Sequence, residues 1–340
     1  MTPLDDALTR LDAARTPADL FGDDGAEAAR RYRRLARAVH PDATGGRTHD
    51  AFTRLNALWR AYHGADAATI IGGRHAYRLD GDPISGDLAE LYPARTGGGE
   101  RVLVKMPRDP RDGDLIEREA TALRRLATRG ERRHRAYVPD LVETFRHRDA
   151  ATGAQRRVDV LRRLDGWHDL AAVRRAYPDG VDPRDAAWMW RRLLVALGFA
   201  HRAGVLHGAV LPEHVMVHPE LHGLALVGWC HAVTEPGGRV PAMVDRHADL
   251  YPPEVPGREP AAPGTDVFMA TRCMTGLMGD RTPGAVRAFA RGCTLPAPHR
   301  RPSDAWRLLA EFDDLLERLY GPRRFRPFHL PTPNDPTPND

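Results

Sequence analysis

Apolar positions recur at helical spacing near the start of the chain. Ala28, Tyr32, Leu35 and Val39 fall on one face of a helix predicted over 26–39. Phe52, Leu55, Trp59 and Tyr62 fall on one face of a second, which Gly64 ends. A shorter helix is predicted over 17–21, with Leu20 and Phe21 as its core residues. Two antiparallel amphipathic helices with a short loop predict a small all-α bundle over residues 1–64. A linker over 65–75 follows. From about Ala76 the pattern shortens to strands over 89–94, 101–107, 140–146 and 156–161, interrupted by one helix over 114–127. Beyond Gly166 the pattern is helical again. Asp182-Pro183 is a cap followed by a first-turn proline, and Trp190, Leu193, Leu194, Leu197 and His201 continue that helix. Further helices are predicted over 264–278, 283–290 and 302–319. Strands followed by helices give an α+β fold class overall. Proline-rich 321–340, with PTPND written twice at its end, is expected to be a disordered tail.

Composition narrows the class. The chain has 340 residues, 42% hydrophobic and 28% charged, which excludes collagenous and wholly disordered readings. The N-terminus has no basic, then apolar run of a signal peptide. The most apolar helical stretch, 186–200, is interrupted by Arg191 and Arg192, so no membrane partner is expected. Cys230, Cys273 and Cys293 form no short pairing motif, which favours a reduced, cytoplasmic location. The net charge is only +4, and residues 1–64 hold ten arginines against nine acids, so no nucleic-acid partner is expected. One bias stands out. Of 50 basic residues all but Lys105 are arginine. A lysine retained there suggests a position where a planar guanidinium will not serve, with chance as the plainer reading.

The helix over 26–39 carries Arg30, Arg31, Arg33, Arg34 and Arg37 opposite its apolar face, and His40-Pro41-Asp42 follows directly. This arrangement, over roughly 17–64, resembles the J-domain of DnaJ-type co-chaperones. The resemblance implies a partner: a DnaK-type heat-shock chaperone, docked through the HPD tripeptide and the arginine face. Concentrated positive charge suits a steered encounter with an acidic surface. A merely solvated arginine face is the plainer reading.

Lys105 ends the strand VLVK, and Glu119 lies on the helix that follows. Downstream runs LGFAHRAGVLHGAVLPEHVMV, then LALVGWCHAV. These segments, over about 76–318, resemble a eukaryotic-like serine/threonine protein kinase. The resemblance implies a bilobal fold with a β-rich N-lobe over 76–166 and a helical C-lobe over 167–320. It implies structural roles for His207, Asp266, Glu254 and Arg301, the last two as a salt bridge. The chemistry is missing. Ala209 stands for the aspartate base, Leu211 for the catalytic-loop lysine, His214 for the asparagine that binds the second magnesium, and Gly228 for the metal-binding aspartate of the DFG segment. Gly208 replaces the arginine that reads activation-loop phosphorylation. Losing base, lysine and both ligands leaves little to stabilise a transferred phosphoryl group. The expected protein is therefore a J-domain fused to a pseudokinase, not an enzyme.

Gly86, Lys105 and Glu119 are the candidate nucleotide-binding residues, with ATP, lacking the usual magnesium ligands, the one cofactor left open. Their alternative is a turn glycine and a lysine–glutamate lock. An unknown client is expected on the kinase-like part. Rival readings are an active atypical kinase or nucleotidyl transferase, and a pure interaction scaffold. The 16 histidines are scattered, so no metal site is expected. The arginines of 124–135 read as a solvated loop.

Overall fold

Two Thr-Pro dipeptides open the first two helices. In the computed structural model, which describes residues 2–22, 25–40, 48–62, 69–148 and 153–331, Thr2 caps α1 (Pro3–Ala13) and Thr16 caps α2 (Pro17–Phe21). Each hydroxyl accepts from the amide three residues on. The aspartate there, Asp5 or Asp19, accepts in return from the threonine amide. Helix α1 is additional to the predicted elements, and its Thr-x-x-Asp box is the local signal that marks it.

The chain divides into two units, Met1–Pro110 with Phe145–Val158, and Arg111–Thr144 with Asp159–Asp340. These limits do not coincide with boundaries drawn at 64, 75 and 166. The stretch 76–166 is shared between the units, and the helix that follows Pro110 belongs to the second.

In the first unit α3 (Gly25–Ala38) and α4 (His49–Tyr62) pack with α1 and α2. Ala7 and Leu11 of α1 join Phe21, Ala28, Leu35, Val39 and Leu55 in one apolar cluster. Tyr32 stacks on Trp59 at 4.6 Å, and Phe21 meets the same indole edge-on at 4.9 Å. The short α2 therefore does not stand alone, because α1 supplies the missing apolar surface. The strands are β1 (Thr69–Ile71), β2 (Ala76–Leu79), β3 (Ile84–Ser85), β4 (Ala89–Thr96) and β5 (Arg101–Pro107). β6 (Leu141–Arg148) and β7 (Gln155–Arg162) contribute their 145–148 and 155–158 segments. The order is β1-β2-β4-β5-β7-β6, with β3 paired to β4. In the antiparallel β4–β5 ladder Lys105 lies opposite Leu91.

The second unit contains α5 (Gly113–Arg129), β8 (His168–Asp169), α6 (Leu170–Ala176), α7 (Pro183–Arg202), β9 (Val215–His218) and β10 (Gly223–Leu226). It ends with α8 (Pro263–Met278), α9 (Gly284–Cys293) and α10 (Ala305–Tyr320). Asp182 caps α7, its side chain accepting from the Arg184 amide at 2.8 Å. α7 is buried along most of its length. Its Trp190 sits 4.8 Å from Phe312 and 5.7 Å from Phe289, in the packing role its spacing suggests. β9 lies between β8 and β10 in a small antiparallel sheet.

The expected disorder from residue 321 does not hold for 321–331. Phe328 is 7% exposed and packs on Tyr177 and Trp188, and the Tyr177 hydroxyl donates to the His329 carbonyl. Proline density masked one buried aromatic anchor. The repeated PTPND falls almost wholly outside the described residues. Among the described residues no helix is long and apolar enough to cross a membrane.

Candidate functional site

The loop after α7 and the turn after β10 meet in the second unit. Asp266, at the start of α8 and fully buried, organises the first. It accepts from the amides of His207 and Gly208, each at 2.8 Å, and pairs with His201 Nε2 at 2.8 Å. Burial raises the Asp266 pKa, but the His201 hydrogen bond and nearby imidazoles outweigh it, so the carboxyl titrates below its ordinary range. Gly208 has φ +75°, and a Cβ there would lie 2.4 Å from the His231 carbonyl oxygen. No arginine fits at this position.

His207 clasps the two segments. Its Nε2 lies 2.9 Å from the Val227 carbonyl, and its Nδ1 accepts from the Ala209 amide at 3.2 Å. That network places the ring proton on Nε2 and leaves no site for a second. Burial, then the neighbouring His214, drive its pKa down to about 3. Trp229 meets it edge-on at 4.5 Å. Fully buried, Trp229 donates its indole N–H to the Leu226 carbonyl, so it serves as core packing of this unit.

Ala209, Leu211, His214 and Gly228, the four positions that the sequence resemblance singles out, lie around this clasp. Ala209 and Leu211 are completely buried and apolar. His214 Nδ1 donates to the Ala209 carbonyl at 2.7 Å. Its ring lies against Gly228, which has φ +78°. The carboxylates nearby are engaged. Glu213 binds His247 at 2.8 Å with Arg246 at 3.6 Å. Glu119, on α5, accepts from the Trp229 amide at 2.9 Å and faces Cys230 Sγ at 3.6 Å. Among the described residues no group of three or more His, Cys, Asp or Glu side chains is placed to hold a metal ion. Magnesium demands several oxygen ligands in octahedral geometry, and an imidazole beside a bare glycine does not fit it.

Glu254 and Arg301 form the expected salt bridge. Both are buried. Nη1 donates to Oε1 at 2.6 Å and Nη2 to Oε2 at 3.0 Å. Thr265 also donates to Glu254, and Arg301 Nε and Nη2 donate to the Leu295 and Pro296 carbonyls. Burial raises the Glu254 pKa, but the Arg301 hydrogen bonds outweigh it and hold the carboxyl below its usual range.

The candidate nucleotide residues fall in different units. Gly86 and Lys105 are in the first, and Glu119 is in the second. Lys105 is only 7% exposed. The Gly86 amide already donates to the Ala89 carbonyl at 2.9 Å. Arg108, which sequence reasoning passed over, holds this turn: Nη1 donates to the Gly86 carbonyl and to Ser85 Oγ, and Nη2 to the Asp87 carbonyl. The turn is thus tied by its own backbone and one guanidinium. A phosphate cradle needs free amides.

On α3, Ala28, Leu35 and Val39 are buried and Tyr32 half-buried, while Arg30, Arg33, Arg34 and Arg37 are exposed. These four line a shallow groove of about 600 Å³. Glu27 engages Arg30 at 2.8 Å and the half-buried Arg31 at 3.4 Å. His40 follows α3, its ring 5.2 Å from Phe52. Pro41 and Asp42 lie outside the described residues. Missed by sequence reasoning were the Glu213–His247 pair and the Glu119–Trp229 bond. Neither has a local signal, since their partners are 34 and 110 positions apart. No protein-family model matches the chain, and no curated protein matches it.

Proposed function

We propose that this protein is a J-domain co-chaperone or adaptor whose kinase-like part binds a partner rather than transferring phosphate. The observation that carries the second half is the mutual packing of His214 and Gly228 beside buried Ala209 and Leu211. Phosphoryl transfer depends on positioning and on charge stabilisation at the transferred group. In this loop Ala209, Val210 and Leu211 are apolar and buried, and the nearby carboxylates are committed to structural partners. A missing general base alone costs ~10²–10⁴-fold, before metals are considered. The interlocked site instead rigidifies the segment from His207 to His231, which suits a binding module.

The chaperone half is supported by the exposed arginines of α3 and by His40 directly after them. Arg34 and Arg37 make no ion pair among the described residues, so their charge is available to an acidic surface. The partner would be a DnaK-type chaperone, reached through a salt-sensitive encounter and registered by His40, Pro41 and Asp42.

The deciding assay is stimulation of a DnaK-type ATPase by the full chain, with His40→Gln as control. Stimulation lost in the variant supports the reading, and none with the wild type rejects it. Incubation with radiolabelled ATP and magnesium or manganese separates the rival class, because label transfer abolished by Lys105→Met would make the protein an enzyme. Thermal shift with ATP, with and without metal, distinguishes a nucleotide sensor from a scaffold, since a ligand of the folded state raises apparent stability.

A further inference from the structure

The segment after α10 encloses a groove of about 990 Å³ with the flanks of α7 and α10. Arg184, Arg191, Arg323, Arg324 and Arg326 line it, against two carboxylates, Asp313 and Glu317. Three of the arginines are engaged within the fold. Arg191 binds Asp313 at 3.0 Å, Arg326 binds Asp185 at 3.1 Å, and Arg184 lies 5.7 Å above the Tyr320 ring. Arg323 and Arg324 are exposed and make no ion pair or hydrogen bond among the described residues. The groove keeps a positive excess that its own walls do not neutralise.

An aromatic column stands in the same wall. His222 stacks on Trp188 at 4.4 Å and 15°, and Phe325 is tilted against His222 at 4.6 Å and 31°. His222 adopts φ +48°, a conformation costly for a residue with a side chain. Trp188 Nε1 and His222 Nε2 are buried without a hydrogen-bond partner among the described residues. Phe325 ends the column and is 73% exposed. An aromatic ring packed against His222, yet open to water and flanked by exposed arginines, has the composition of an interface hot spot.

We infer that this groove docks an acidic peptide segment of a partner protein, with carboxylates meeting Arg323 and Arg324 and one apolar anchor covering the open face of Phe325. Complementary charge steers and registers such a segment, and the anchor supplies the desolvated contact. The inference rests on the partner-binding half of the proposed function and not on the chaperone half.

Fluorescence anisotropy on the full chain tests it. The probe is a fluorescein-labelled, glutamate-rich dodecapeptide with one central tryptophan. Its glutamine counterpart and a labelled oligothymidylate of similar length serve as comparisons. Saturable binding of the acidic probe is expected, weakened about tenfold or more by Arg323→Glu with Arg324→Glu and again by Phe325→Ser. These positions are exposed, and unchanged thermal unfolding of each variant would establish that the fold is intact. No saturable binding, equal binding of the glutamine peptide, indifference to charge reversal, or preference for the oligothymidylate would each overturn the inference. ATPase stimulation is read separately. Its absence with peptide binding intact rejects only the chaperone half, and the reverse result rejects only this surface.

Discussion

The imidazole of His214 occupies the space that a side chain on residue 228 would need. A Cβ built on Gly228 would lie 2.5 Å from His214 Cδ2 and 2.7 Å from Nε2, at a backbone φ of +78°. Positions 214 and 228 are therefore one packing solution, and a side chain introduced at 228 alone meets the His214 ring. Gly228→Asp is expected to destabilise the fold by about 2–4 kcal/mol, combining left-handed strain with overpacking. Adding His214→Asn should recover part of the loss. Urea denaturation of the two variants checks this, and a double variant no more stable than the single would refute the steric coupling.

Arg301 serves Glu254 and two backbone carbonyls at once. Removing one partner of a buried ion pair strands the other, at about 3–5 kcal/mol. Arg301→Ala is expected to fall in that range. Arg301→Lys should also be markedly destabilising, because one ammonium cannot reproduce the bidentate pair and the Leu295 and Pro296 bonds. Equal stability of Arg301→Lys and wild type would show that the guanidinium geometry is not needed.

His207 makes stability depend on pH. Its pKa falls from an ordinary 6.5 to about 3 on folding. Between those values the unfolded chain binds a proton that the folded chain does not. Stability is therefore full above about pH 6.5 and is lost as pH falls toward 3, at ~1.4 kcal/mol per pH unit well inside the window. His134 and His222, shifted downward by burial first, act in the same direction. The depressed carboxyls Asp266 and Glu254 lose their contribution only at lower pH, below their ordinary values. Denaturation midpoints from pH 7 to 5 should show the slope, and His207→Gln should flatten it. An unchanged slope in that variant would assign the dependence elsewhere.

Phe328 anchors the C-terminal segment between Tyr177 and Trp188. Phe328→Ala is expected to cost about 3 kcal/mol, the range for a buried aromatic. Limited proteolysis should then cut near residues 321–331, and wild-type resistance in the variant would argue against the anchor.

Arg34 and Arg37 are exposed on α3 and carry no ion pair among the described residues. Reversing both to glutamate should change stability by no more than about 0.5 kcal/mol. The salt-sensitive stimulation of the proposed chaperone partner should be lost. Retained stimulation would show that the arginine face is only a solvated surface.

Much of the architecture was legible in local pattern. The β5 strand, the α7 cap and the paired amphipathic helices α3 and α4 emerge from periodicity, because each depends on neighbours within a few residues. The α1 helix was legible too, in its Thr2–Asp5 box, but no long apolar run drew notice to it. The segment after residue 320 misled, because one phenylalanine among prolines carries no periodic signal.

That Ala209, Leu211, His214 and Gly228 carry no carboxylate is a property of residue identity, which the sequence alone determined. What fills the space required the fold. That His214 closes on Gly228, that Glu119 is held by the Trp229 amide, that Arg108 ties down the Gly86 turn, and that His222 packs against both Trp188 and Phe325 are contacts between distant positions. Such contacts follow from how helices and strands pack, where a shift of one ångström changes the partner. Composition and spacing carry no record of them.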